Sequence, residues 1–289
     1  MKENKNLFFS PAKINLFLEV LSKRNDSYHN LNSLMCFCNI GDYLEIKECR
    51  EFFFEIDGPF KGSLNEKDNN LVKKAIEKLE DLTKKRFKVK IKLVKNLPIS
   101  SGLGGGSSNA ATVLKFLIKR FNFKIEKKIL DEFLLELGSD VPFCFNNRSA
   151  IIQGIGNIIR PISNIPEYPI LIVNPLKQVS TKEIFENVKI FNNSKTVMPE
   201  NFTNDAFLGL LKNSSNDLEK IAIKLHPEIY EILKIFKNKT DSFFSRMSGS
   251  GASCFGLFEN CQKLKEAEKI FSNINRFWWI SSGNLLNQI

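Results

Sequence analysis

Apolar and polar residues alternate strictly through "RFKVKIKLV", with Phe87, Val89, Ile91 and Leu93 on one side and lysines between them. A period of two predicts a strand with one buried and one wet face. Strands are also expected in "KINLFLEVL", "YLEIKE" and "EFFFEID", which makes the first 57 residues β-rich. The period changes over residues 69–83, where Leu71, Val72, Ala75, Ile76 and Leu79 form a helical stripe. Ala110, Val113, Leu114, Leu117 and Ile118 form a second stripe. A third helix is predicted over 125–137 from Ile125, Ile129, Leu130, Phe133, Leu134 and Leu137, with Gly138 as its stop. "SAIIQG" and "GNIIRPI" predict a hairpin around Gly154 and Gly156, and "ILIVNP" a buried strand. "STKEIFENV" opens with a capping-box pattern, Ser180 to Glu183. Residues 191–204 read as a polar loop, followed by helices near 216–224 and 227–237, a glycine-rich turn in "SFFSRMSGSGASCFGLF", and a closing helix and strand. The mixture predicts an α+β protein of two lobes. Three prolines in "RPISNIPEYP" suggest a boundary near 160–168, giving segments 1–160 and 161–289.

The composition narrows the class. A 289-residue chain with 43% hydrophobic and 26% charged residues supports a sizeable core and argues against disorder. The mean hydropathy is −0.18 and lysines break many of the apolar runs, so no membrane span is expected. The first residues, "MKENKNLFFS", lack the apolar stretch of a secretory signal, and the expectation is a cytoplasmic protein. The six cysteines form no Cys-x-x-Cys pair and only two histidines accompany them, which is poor material for zinc; reduced, mostly buried thiols are expected. The formal net charge of +10 would suit anionic partners. Its lysines are spread along wet faces without an RNA-binding signature or a basic block, so nucleic acid is not the expected partner. No sequence feature signals an oligomeric interface.

The unusual stretch is "LPISSGLGGGSSNAA", residues 97–111, set between a predicted strand and a predicted helix. Pro98, Ile99, Ser100, Ser101, Gly102, Leu103, Gly104, Gly105, Gly106, Ser107 and Ser108 would bring several backbone N–H groups together at the positive end of a helix dipole. Such a turn attracts phosphate, because missing Cβ atoms let oxygens approach the backbone. A linker or a tight turn is the plainer reading, but linkers are not usually fused to an amphipathic helix. No Gly-Lys-Ser/Thr follows, which excludes a Walker A loop. Position 107 is Ser, which breaks a dinucleotide fingerprint, and no His-Arg-Asp motif follows as a protein kinase requires.

This loop resembles the phosphate-binding loop of the GHMP kinases, the superfamily of galactokinase, homoserine kinase, mevalonate kinase and phosphomevalonate kinase. "SPAKINLFLEV" at 10–20 is similar to its first motif and "SGSGASCFG" at 248–256 to its third. With "RNDSYHNL" and "LGSDVPFC" added, the motifs are most similar to the branch acting on a cytidine diphosphate conjugate of methylerythritol. The resemblance implies a two-lobed fold, an N-terminal β-rich α/β lobe that binds ATP and a C-terminal α/β lobe, with the active site between them. It implies transfer of the ATP γ-phosphoryl group to the 2-hydroxyl of that small molecule, giving a 2-phosphate and ADP on the non-mevalonate route to isoprenoid precursors. This sequence has Ser100 and Ser101 where the family usually has glycine or alanine, and Ser27 where it usually has glycine; Ser101 is the least certain of them if its position needs a positive φ.

By the same resemblance Asp140 is the catalytic base and Lys13 the cation beside it; alone, each would be an ordinary surface or strand residue. The loop and, more weakly, Asn69 and Lys95 bind ATP. Mg²⁺ accompanies the nucleotide; Ser108 could touch it, and spacing singles out no carboxylate. Asn15, Tyr28, His29, Thr181 and Phe185 are expected at the acceptor, with Tyr28 and His29 reading the cytosine and Phe185 closing the other ring face. Gly249 and Gly251 are expected to line the site. The plainer reading of Phe185 is core packing, a strong alternative with 26 Phe in the chain. Other readings stay open: a kinase of homoserine or a mevalonate derivative, a non-catalytic nucleotide-binding protein, or, on charge alone, a nucleic-acid binder.

Overall fold

The computed structural model of the chain describes residues 6–63, 70–192, 195–200 and 202–289. Its contacts fall into two compact units that do not follow chain order. The first takes in the chain up to Ala12, Gly41–Ile99 and Gly104–Asn146; the second takes in Lys13–Ile40, Ser100–Leu103 and Asn147–Ile289. Two long strands, β1 (Leu7–Lys23) and β2 (His29–Glu48), contribute residues to both. The expected boundary near 160 falls inside the second unit.

In the first unit the later part of β2, Tyr43–Glu48, pairs antiparallel with β4 (Val89–Val94), and β4 pairs in parallel with β3 (Phe53–Asp57). The alternation in β4 acts as predicted: Val89, Ile91 and Leu93 are buried and Lys90 is exposed. Three helices cover this apolar face: α1 (Leu71–Thr83), α2 (Gly105–Arg120) and α3 (Lys127–Leu137). Asn70 caps α1 by accepting from the Val72 N–H at 2.9 Å. The structure adds α4 (Val141–Asn146), a short helix that the sequence did not suggest.

In the second unit Leu31–Met35 of β2 pairs antiparallel with β5 (Ala150–Gly154), which forms the expected hairpin with β6 (Ile158–Pro161). The remaining strands are β7 (Pro169–Asn174), β8 (Phe244–Met247), β9 (Cys254–Leu257) and β10 (Trp279–Leu286). They are antiparallel in the order β10-β7-β9-β8, and Leu285 joins β10 to β2 opposite Cys38. The helices are α5 (Thr181–Glu186), α6 (Asn204–Asn213), α7 (Glu219–Leu225), α8 (Glu228–Lys239) and α9 (Cys261–Ile274). Leu171 and Val173 of β7 pack with Ile229, Ile232 and Phe236 of α8 and Leu264, Ala267 and Phe271 of α9.

Two expectations change here. The sequence marked β2 only from Tyr43, whereas it begins at His29. Its earlier half is buried on both faces, so it carries no period of two to read. Helix α6 follows directly on the polar stretch, with Thr203 accepting from the Ala206 N–H as its cap. Burial holds the Cys36 and Cys38 thiols protonated, their pKa pushed up to about 12. Among the described residues no helix is long and apolar enough to cross a membrane.

Candidate active site

In the first unit the loop becomes a helix at Gly105. Gly104 precedes it with φ 63°, in the left-handed region, and offers no side-chain cap. The first turn of α2 therefore presents backbone N–H groups that no cap side chain satisfies, and it contains no acidic residue. Gly106 is exposed, and apart from its chain neighbours and the helix's own backbone nothing lies within 4 Å of the position its Cβ would take. An anion can approach that backbone closely.

A buried polar cluster supports the turn from below. The carboxylate of Asp42, fully buried, accepts from the Asn96 N–H at 2.7 Å, the Leu97 N–H at 2.9 Å and the Asn109 amide at 3.0 Å, and pairs with the Lys95 ammonium. Burial lowers the Lys95 pKa against the pull of Asp42. A Cβ on Gly105 would lie 2.9 Å from Lys95 Nζ, so the ammonium packs directly under the helix start. The partner of Lys95 in this unit is thus Asp42. Ser108 is also redirected. Its hydroxyl is buried and accepts from Ser10 Oγ at 2.9 Å. Asp42 was missed because a single Asp before Tyr43 carries no spacing signal.

Asp140 stands directly ahead of α4 and is half-buried; its carbonyl accepts from the Cys144 N–H at 3.0 Å. Lys115 of α2 donates to the Cys144 carbonyl at 3.2 Å, and burial lowers its pKa to about 8. Asn69 lies outside the described residues.

In the second unit Ser100–Leu103 packs on the turn 248–253. Lys13 is buried; its N–H donates to the Leu103 carbonyl at 2.9 Å and its ammonium to Asn15 Oδ1 at 2.6 Å. Asn15 is fixed in turn: its amide donates to Ser33 Oγ at 2.8 Å, and its backbone N–H to Ser248 Oγ at 3.1 Å. Ser248 Oγ donates to the Gly102 carbonyl at 3.1 Å, and the Ser253 N–H to the Ser101 carbonyl at 3.2 Å. Glycine is required at two places. A Cβ on Gly102 would stand 2.3 Å from the Ser248 carbonyl oxygen, and one on Gly249 would stand 3.1 Å from Asn15 Oδ1 and 3.2 Å from Lys13 Nζ. Gly249 and Gly251 both have positive φ. The serine in the left-handed region is Ser100, with φ 48°, and not Ser101; Ser27 also has φ 68°.

His29 opens β2. It is buried between two phenylalanines, its ring 5.2 Å from that of Phe185 and 6.1 Å from that of Phe191. Among the described residues its Nε2 has no hydrogen-bond partner. Burial, and then the nearby charge of Lys23, lower its pKa, which favours the neutral ring. Tyr28 beside it is exposed. Phe185 is half-buried and also packs on the core. Thr181 and Ser250 hydroxyls lie 2.9 Å apart, joining α5 to the glycine-rich turn. Phe191, next to His29, was not singled out in the sequence because it lies in a polar stretch.

Comparison with known proteins gives the family. Residues 70–148 match the model of the GHMP kinases N terminal domain, and residues 203–278 that of the GHMP kinases C terminal region. A solved mevalonate kinase covers 98% of this chain and 99% of its own length, with a TM-score of 0.63 and 18% identity. Together with the glycine-rich turns, this defines the fold of a GHMP kinase. A 4-diphosphocytidyl-2-C-methyl-D-erythritol kinase of Chelativorans sp. is 38% identical over 94% of this chain and 93% of its own length. One of Wolbachia sp. subsp. Brugia malayi is 36% identical over 96% of this chain and 97% of its own. A crystal structure of 4-(cytidine 5'-diphospho)-2C-methyl-D-erythritol kinase has a TM-score of 0.77 and 28% identity, covering 96% of this chain and 98% of its own. The chain belongs to the 4-diphosphocytidyl-2-C-methyl-D-erythritol kinase family of GHMP kinases.

Proposed function

We propose that this protein transfers the γ-phosphoryl group of ATP to the 2-hydroxyl of 4-diphosphocytidyl-2-C-methyl-D-erythritol, giving the 2-phosphate and ADP. The observation that carries the acceptor is His29: a buried, neutral ring with an unpartnered Nε2 among the described residues, beside Phe185. A buried nitrogen of this kind gains most from a polar ring edge brought by the ligand. Homoserine and mevalonate have no such ring.

The uncapped turn of α2 is the seat for the terminal phosphates, with Gly104, Gly105, Gly106 and Ser107 supplying backbone contact. ATP is a substrate that would bring Mg²⁺ with it, whose charge would offset that of the phosphates. Phosphoryl transfer is mainly positioning and charge stabilisation. Asp140 orients the 2-hydroxyl and takes its proton late; Lys13 offsets negative charge on the attacking oxygen. Asn15 holds Lys13, and Tyr28 with Phe185 covers the faces of the base. Segment 1–160 carries the ATP-binding residues and segment 161–289 contributes Thr181, Phe185, Gly249 and Gly251. The cytoplasm, where ATP is available, is the site of action.

A coupled assay of ADP release tests this reading. Turnover is expected with the cytidyl methylerythritol acceptor and not with homoserine or mevalonate; equal turnover with either of those would overturn the acceptor assignment.

A further inference from the structure

We infer that Asn216 and Glu219 are positioning residues that set the distance between Lys13 and the turn at Gly249. The inference rests on the reading of Lys13 as a catalytic cation. β1 carries Lys13 and Asn15, and the turn carries Gly249. The fit between them leaves no room for even one methyl group without the neighbours giving way. Something must hold the strand and the turn at that spacing.

The segment 214–219 grips both sides. Toward β1, the Leu18 N–H donates to the Ser215 carbonyl at 2.9 Å, the Asp217 N–H donates to the Leu18 carbonyl at 2.9 Å, and the Val20 N–H donates to Asp217 Oδ2 at 2.8 Å. Toward the turn, the Asn216 amide donates to both the Met247 and the Gly249 carbonyls, each at 2.8 Å. Glu219 Oε2 accepts from the Met247 N–H at 2.9 Å. Asn216 is itself locked, its Oδ1 accepting from the Leu218 N–H at 3.0 Å. Arg246, buried, adds bonds to the Leu16 carbonyl at 2.8 Å and the Ser214 hydroxyl at 3.0 Å. One short segment therefore fixes the strand and the turn against each other through bonds to named backbone groups. A carboxamide is suited to this, since one NH₂ group can donate to two carbonyls while its oxygen accepts.

A double-mutant cycle tests the inference. Asn216→Ala is expected to lower kcat by about 10–100-fold, with both KM values changing less than about threefold, as for a small misplacement of a reacting group. In a Lys13→Met background, whose placement no longer matters, the same change is expected to cost less than about threefold. Equal losses in the two backgrounds would show a merely structural role and overturn the inference. Wild-type turnover in Lys13→Met would instead overturn the catalytic reading of Lys13, and the inference with it. If Asn216→Ala does not fold, Glu219 gives the second readout. Glu219→Gln keeps an acceptor for the Met247 N–H and is expected to retain kcat within about threefold, while Glu219→Ala loses it. Equal kcat for those two variants would also overturn the inference.

Discussion

Gly106→Ala separates a glycine kept for the fold from one kept for a ligand. Gly106 is in the first turn of α2 with no positive φ, and apart from its chain neighbours and the helix's own backbone no atom lies within 4 Å of the added Cβ. In the free protein the change relieves the entropic cost of glycine in a helix, worth about 0.5–1 kcal/mol. For a protein of this size that is an increase of about 1–4 °C in Tm. The space beside Gly106 is also where the phosphates are proposed to meet the backbone. A methyl group there would push a phosphate oxygen outward and lengthen several N–H···O contacts together. Losing one or two charge-assisted hydrogen bonds at about 1.5–3 kcal/mol each lowers kcat/KM for ATP by about 10–10⁴-fold. Stability and activity should therefore move in opposite directions. Urea unfolding gives the first quantity and coupled ADP release at varied ATP the second. A variant that is more stable and keeps wild-type kcat/KM for ATP would refute the phosphate seat at α2.

Gly102→Ala, by contrast, places a methyl group 2.3 Å from the Ser248 carbonyl oxygen at a residue with φ 77°; a loss of about 2 kcal/mol or more in urea unfolding is expected. Asp140→Asn should lower kcat by about 10²–10⁴-fold with the KM for ATP little changed, checked by initial rates at saturating substrate. The His29 pKa is lowered by burial, so the unfolded chain binds its proton first as pH falls. Wild-type stability should therefore decline relative to His29→Gln as pH drops below the ordinary imidazole range, measured as unfolding midpoints; parallel midpoints would count against a buried neutral His29. Lys115, lowered to about 8, gives the same sign at higher pH: stability relative to Lys115→Met should rise between about pH 8 and 10, and a flat difference would disprove that burial.

Local pattern revealed much of the fold. The lysine-spaced alternation of β4, the stripes of α1 and α3 and the hairpin at Gly154 are each written in consecutive residues. The first half of β2 and the helix α4 were not legible. In β2 both faces are buried, which erases the period; α4 is too short to show one. In the site, the glycine-rich turns and the Lys13, Asn15 and His29 motifs could be read because backbone geometry demands glycine at fixed spacing and because the resemblance supplied their roles. The assignments of Ser108 and Lys95 could not. Whether a serine faces solvent or Ser10, and whether a lysine reaches outward or to Asp42, depends on residues dozens of positions away.

By itself, the sequence determined most of the segments that become strands and helices, where the chain must turn without side chains, and the family to which these turns belong. These follow from local sterics and hydrophobic periodicity, which act over a few residues. Tertiary structure alone decided that Asp42 and Lys95 form the floor beneath α2, that His29 keeps a buried nitrogen beside two phenylalanines, and that the segment 214–219 bonds to both β1 and the Gly249 turn. Those are matters of burial and of hydrogen bonding between distant segments, and a buried polar atom takes whichever partner the folded chain brings within about 3 Å.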